Sequence, residues 1–321
     1  MIQIHYKKDL DVLETTYLNK LYSTKFEKGK NTQTVKEKFD KLKDLYPYNV
    51  IFCDVNFEDF IFVNAENLRY LINKIELRII EQSNIIYKEI KKKKTYLYEV
   101  KEKLKDIFDY NKFQPFISSF FENEIQVKTC CFCNIHFINE YKENDGTYKN
   151  EFTLDHYYDK ATYPYLALSL YNLIPSCYTC NSKLKKNEEF KNLAPSSKNF
   201  DFENKIKFKL FLDKDCNNLH IEKKEDIDIP LKEQFSNEYE KYIKVFKLNE
   251  RYKAHKDIVY EMIIKAELYP ESRLKELQDL TGIPFAQIKK DIFNLSDEED
   301  LSKKPFSKLK KDISEELGLT K

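Results

Sequence analysis

Tyr171-Asn172-Leu173-Ile174-Pro175-Ser176-Cys177-Tyr178-Thr179-Cys180-Asn181 decides the reading of this chain, together with Cys130-Cys131-Phe132-Cys133 upstream. Cys177 and Cys180 are separated by two residues, and Cys130 and Cys133 repeat that spacing. One such pair can be an accident or a redox motif. Two read as a four-thiolate zinc site, because a two-residue gap lets one tight turn present both sulfurs to a tetrahedral ion. Cys131 lies inside the first turn and could compete with Cys130. The matching two-residue gap favours Cys130 with Cys133.

Between the pairs stand Asp155-His156 and Asn172, and Asn181 follows the last cysteine directly. Asp155 is a hard oxygen ligand beside a base, His156, that titrates near neutrality. A bound zinc would fix the position of Asn181. The arrangement suits a second, catalytic metal close to a structural one.

These residues in this order resemble the HNH endonucleases, the ββα-metal class built on a treble-clef zinc fold. The stretch Leu154 to Cys180 is also similar to HNH proteins of bacterial anti-phage defence and mobile-element loci. The resemblance implies a metal-dependent hydrolase of phosphodiester bonds. His156 would be its general base, taking a proton from water. Asp155 and Asn181 would hold a divalent ion, Mg²⁺ or another, of which Mg²⁺ favours hard oxygen ligands. Asn172 would orient His156 through a backbone or ring-nitrogen contact. Lys160, Lys183 and Lys185 would meet phosphate. The chain departs from the family pattern in three places. Asn181 stands where many members have His. Leu184 falls near the place of the usual lysine, flanked by Lys183 and Lys185. Tyr157-Tyr158-Asp159-Lys160 replaces a proline-lysine. The expected substrate is DNA. The alternatives are an RNase using the same groups, or a zinc-stabilised nucleic-acid-binding or interaction module that does not cut.

Composition sets the bounds. The chain has 321 residues, 41% of them hydrophobic, and a net charge of +1. No apolar run reaches the ~18 residues a membrane span needs, so no membrane partner is expected. Met1-Ile2-Gln3-Ile4-His5 followed by charge does not read as a signal peptide, and a cytoplasmic setting is expected. Of the seven cysteines, four fall to zinc, leaving Cys53, Cys131 and Cys216 as free thiols. That usage fits a reducing compartment. The overall charge lends no support to nucleic-acid binding, but lysines cluster at Lys91 to Lys94 and around Lys183 to Lys186, with an acidic run, Asp297 to Asp300, far away. With only four glycines and no phosphate loop, nothing here hydrolyses ATP. Any ATPase or sensor that works with the protein would be a separate chain.

The expected fold class is α+β, a mostly helical chain around a central ββα finger. A helical domain is read over 1–120, the zinc nuclease domain over 121–215 and a mainly helical domain over 216–321. Leu68, Leu71, Ile72, Ile75, Ile79, Ile86 and Ile90 predict one long helix from about Ala65 to about Lys94, read as a core stripe. A second helix follows with Leu97, Val100, Leu104 and Ile107. Within the finger, strands are expected at Glu151 to His156 and at Leu168 to Ile174, Asp145-Gly146 is a hairpin turn signal, and Asn181 to Lys186 should open an α-helix. Strands are read at Lys205 to Leu212 and His220 to Ile229. Helices marked by Phe235, Tyr239, Tyr242 and Phe246 and by Tyr252 to Leu268 come after them.

Overall fold

The computed structural model describes the whole chain except residues 7–8, 25, 29–30, 91–92, 147, 191–192, 213–220, 222, 235, 296–299 and 320–321. Lys91, Lys92, Cys216, His220, Phe235 and the start of the acidic run lie outside the described residues, as do the side chains of Lys93 and Lys94. The fold mixes helix and strand, as an α+β class requires. Among the described residues, no helix is long and apolar enough to cross a membrane.

The helical stripe of the N-terminal segment is a core stripe. Leu68, Leu71, Ile72, Ile75 and Ile79 recur at three and four residues and are all buried. The predicted single helix is shorter than expected. It runs Leu68–Ile90, and the next begins at Lys93 and ends at Ile107. The two pack side by side. A helix over Val35–Lys43 starts at a reciprocal cap, in which the Thr34 hydroxyl accepts from the Glu37 amide and the Glu37 carboxylate accepts from the Thr34 amide. Its Phe39 packs with Phe52, Phe57, Phe60 and Phe108 in one aromatic cluster. Phe60 then meets Tyr165, and the Tyr17 hydroxyl donates to Leu168 O at 3.0 Å. Through these contacts the helices grip the loop between Thr153–His156 and Leu173–Ser176.

Between the two cysteine pairs, Thr153–His156 pairs antiparallel with Leu173–Ser176, placing Asp155 opposite Ile174 and His156 opposite Leu173. Both strands are shorter than expected. Asn172 sits just before the second, in a 3₁₀ turn over Leu170–Asn172. The predicted turn at Asp145-Gly146 joins strands Glu140–Lys142 and Tyr148–Asn150, with Gly146 at φ +87°. The expected α-helix after Cys180 is instead a π-helical turn over Thr179–Lys185, stopped by Lys186 at φ 49°.

After the second cysteine pair, Ile206–Phe208 pairs with Leu231–Glu233 and Phe211–Leu212 with Ile227–Asp228. The long strand read over Lys205 to Leu212 is thus two short ones. Helices follow, among them Glu240–Val245, Leu248–Lys253, Lys256–Leu268 and Ser307–Glu316. Packing crosses the segment bounds read from sequence. Asn134, in the first cysteine turn at φ 53°, donates to Leu301 O and Lys304 O, and its Oδ1 accepts from the Ser307 hydroxyl and the Lys308 amide. The C-terminal helix is thereby fastened to the cysteine turn.

Candidate functional site

Cys130, Cys133, Cys177 and Cys180 are buried, and their sulfurs all lie within 4.8 Å of one another. Cys133 Sγ and Cys177 Sγ are 4.0 Å apart. A tetrahedral ion bound at about 2.3 Å holds sulfurs roughly 3.8 Å apart, so this set fits a metal ion such as zinc. Each turn closes on its own backbone: the Asn134 amide donates to Cys130 O, and the Asn181 amide to Cys177 O. Cys131 is not part of the set. Its amide donates to Pro175 O at 3.1 Å, tying the first turn to the second strand, and burial pushes its thiol up to about 12.

A cleft of about 490 Å³ brings together Asp155, His156, Asp159, Lys160, Asn181 and Lys186. Three of the four expected catalytic residues therefore share one hollow. His156 is 9% exposed, with Nε2 3.0 Å from Ala167 O. A carbonyl can only accept, so Nε2 carries the proton and Nδ1 is the ring atom able to take another. The ring stands edge-on to Tyr110, centroids 4.6 Å apart. Burial, reinforced by the charge of Lys160, pushes its pKa down to about 3. Nothing in the sequence signalled Tyr110, yet it braces this histidine and also carries Lys160, whose ammonium lies 4.3 Å from the ring centroid.

Asp155 is 2% exposed. Burial pushes its carboxyl up to about 6, although Lys185 pulls the other way. Lys185 Nζ lies 3.0 Å from Asp155 Oδ2. The contact is one of charge, outside directed hydrogen-bond geometry, while the ammonium donates to His156 O at 3.1 Å. This corrects one expectation: with a side chain 1% exposed, Lys185 does not face a phosphate backbone but sits inside, against Asp155. The π turn is the reason. Its five-residue spacing brings the Lys186 amide to Asn181 O at 3.0 Å, so Lys186 takes the exposed place beside Asn181 and Lys185 is turned inward. Lys183 is exposed, near the Tyr178 ring, and does not line the cleft.

Asn172 is fully buried and works on backbone. Its Oδ1 accepts from the Tyr158 amide at 2.8 Å, and its Nδ2 donates to Tyr158 O and Leu166 O. Its own carbonyl accepts from the Tyr157 amide. It thus clamps the chain directly after His156, and its amide makes no hydrogen bond to the ring. Asn181 Nδ2 donates to Thr153 Oγ1 at 2.9 Å, which fixes the amide plane and leaves its oxygen for another partner.

No protein-family model, curated protein or solved structure matches this chain.

Proposed function

We propose that the protein is a metal-dependent endonuclease of the HNH kind, hydrolysing phosphodiester bonds of DNA, with zinc in its four-cysteine cluster. The observation that carries this reading is His156: a neutral, buried imidazole whose Nε2 is spent on Ala167 O, in one cleft with Asp155 and Asn181. Nδ1 of such a ring can accept the proton of an attacking water. The Asp155 carboxylate and the Asn181 amide oxygen are hard donors suited to a divalent ion such as Mg²⁺. When bound, that ion would supply positive charge to the phosphate and the departing oxygen. Lys160 and Lys186 would hold the flanking phosphates, and Asn172 would keep the backbone behind His156 in place. Phage defence is the cellular setting that fits the resemblance, and RNA is the other backbone these groups could cut.

One observation favours a second reading. Lys185 already neutralises Asp155 from within, as a binding module with no need of a catalytic ion would have it. A nicking assay on supercoiled plasmid separates the two. Endonuclease activity requires added Mg²⁺ and is lost in His156→Ala. A binding module retains the plasmid in a salt-dependent manner and never nicks it. A parallel arm with single-stranded and structured RNA decides the substrate.

A further inference from the structure

Arg251 has no place in the chemistry above, yet its guanidinium lies against the cysteine cluster. The helix Leu248–Lys253 brings it there. Nη1 donates to Cys180 Sγ at 3.2 Å and reaches Phe246 O at 3.4 Å, while Nη2 is buried and makes no hydrogen bond among the described residues. The next residue reaches the other turn: the Tyr252 hydroxyl donates to Cys133 O at 2.7 Å. The surroundings are aromatic. Phe246 stacks on Phe132, inside the first cysteine turn, at 4.6 Å, and on Phe190 at 5.6 Å.

Four thiolates around a divalent ion carry two excess negative charges. In an apolar setting such charge is unfavourable unless it is balanced and hydrogen-bonded. A guanidinium meets both needs and keeps its charge at any working pH. We propose that Arg251 is an outer partner of the metal centre, bonding the Cys180 thiolate and balancing the charge of the cluster so that the ion is retained. The proposal rests on zinc as the occupant of the four cysteines, but not on nuclease activity. It makes the metal centre depend on a residue of the C-terminal segment, because Arg251 lies 71 residues from Cys180 in the chain.

The test times zinc release from the full-length, zinc-loaded protein into excess chromophoric chelator. Outer-sphere partners are typically worth 10–100-fold in metal affinity. Arg251→Met should therefore release zinc about 10–100-fold faster while keeping its far-ultraviolet circular dichroism. Arg251→Lys, which keeps a charge but loses the planar fork, should fall between. Tyr252→Phe removes a hydrogen bond from the same helix without touching charge, so it should change the rate little. In cobalt-substituted protein, Arg251→Met should move the sulfur-to-metal charge-transfer band to lower energy, since the thiolate loses a donor. Release from Arg251→Met at the wild-type rate overturns the proposal. So does equal acceleration by Tyr252→Phe, which would reduce Arg251 to helix docking. If Arg251→Met does not fold, Arg251→Lys alone decides, and an unchanged rate there overturns the idea. Wild-type protein without zinc by elemental analysis would remove the occupant, and this proposal with it. Zinc present but indifferent to Arg251 would remove this proposal only.

Discussion

Lys185 Nζ lies 3.0 Å from Asp155 Oδ2, with the two side chains only 1% and 3% exposed. A buried pair of this kind is expensive to break from one side, because the remaining charge is left desolvated. Removing one partner typically destabilises by about 3–5 kcal/mol. Lys185→Met should therefore lower stability by that order in urea denaturation, and adding Asp155→Asn should recover most of the loss. Equal destabilisation by the single and double variants would mean that packing of the lysine stem, not its charge, is what matters.

The two buried titrating groups pull stability in opposite directions as pH changes. His156 has a folded value of about 3, below the ordinary ~6.5. Its contribution is complete above about pH 6.5 and is lost as pH falls toward 3, because only the unfolded chain takes the proton. Asp155 has a folded value of about 6, above the ordinary ~3.9. Its burial weakens the fold at neutral pH, and acidification from about 6 to about 4 relieves that. The histidine shift is the larger, but the two slopes cancel between about pH 6 and about 4, so wild-type stability should drop slightly just below about 6.5, stay level to about 4 and fall again toward 3, a net loss of about 2 kcal/mol. In His156→Gln the fall should largely vanish and the Asp155 trend should emerge. Urea denaturation across this range, wild type against variant, is the measurement.

The sites on the surface differ from those read in the sequence, and salt dependence can tell them apart. Lys160 and Lys186 border the cleft, whereas Lys183 does not and Lys185 is buried. Each duplex phosphate neutralised contributes roughly −0.9 to the log–log slope of affinity against salt. Lys160→Ala and Lys186→Ala should each flatten the slope by about that amount. Lys185→Met and Lys183→Ala should leave it in place. Flattening in Lys183→Ala alone would put the nucleic-acid path on the far side of the π turn.

Metal removal should act locally at first. Structural zinc in small fingers is worth roughly 10–16 kcal/mol of apparent binding energy at neutral pH. Cys180→Ser should open the two cysteine turns and free the contacts of Asn134 with Leu301, Lys304 and Ser307. The helices around Phe39 and Phe60 should stay protected. Hydrogen exchange by peptide reads this directly. Uniform loss of protection would show that the helices cannot stand without the metal centre.

Much of the cysteine cluster and of the strand pair beside it was legible because the signals are local. Cysteines two residues apart must share a turn, and Asp155-His156 at a strand end must share a neighbourhood, whatever the rest of the chain does. Lysine placement was not legible, because α and π turns differ by one residue in spacing and short sequences do not separate them. That single residue decides that Lys186 faces out and Lys185 faces in. Tyr110 and Arg251 were not legible either. Both arrive by packing of elements distant in sequence, and their side chains carry no spacing signal. The helix stripe from Leu68 to Ile79 was read correctly as core, because a 3.6-residue apolar period has few other uses in a water-surrounded helix. Its C-terminal bound was overextended, because charge alone does not say where one helix stops and the next begins.

Base and ligand should part company under mutation. His156→Ala removes the proton acceptor while Asp155 and Asn181 stay. A positioned base typically contributes about 10²–10⁴-fold to rate, so plasmid cleavage should fall that far with DNA affinity unchanged. Asp155→Ala strips the anionic donor and leaves Lys185 without its partner, so its defect should shrink as Mg²⁺ is raised, which that of His156→Ala should not. The acid limb of wild-type activity should lie near 6, where Asp155 takes up its proton and ceases to be an anionic donor to the ion. It should not follow His156, which stays neutral to about 3. Surface histidines titrate near ~6.5, and the sequence alone would have placed the limb there. The decisive comparison is therefore a pH–rate profile at saturating and at limiting Mg²⁺. If Asp155 sets the limb, high Mg²⁺ displaces its proton and moves the limb to lower pH. A limb that ignores Mg²⁺ belongs to another group, and Asp155 then does not hold the ion.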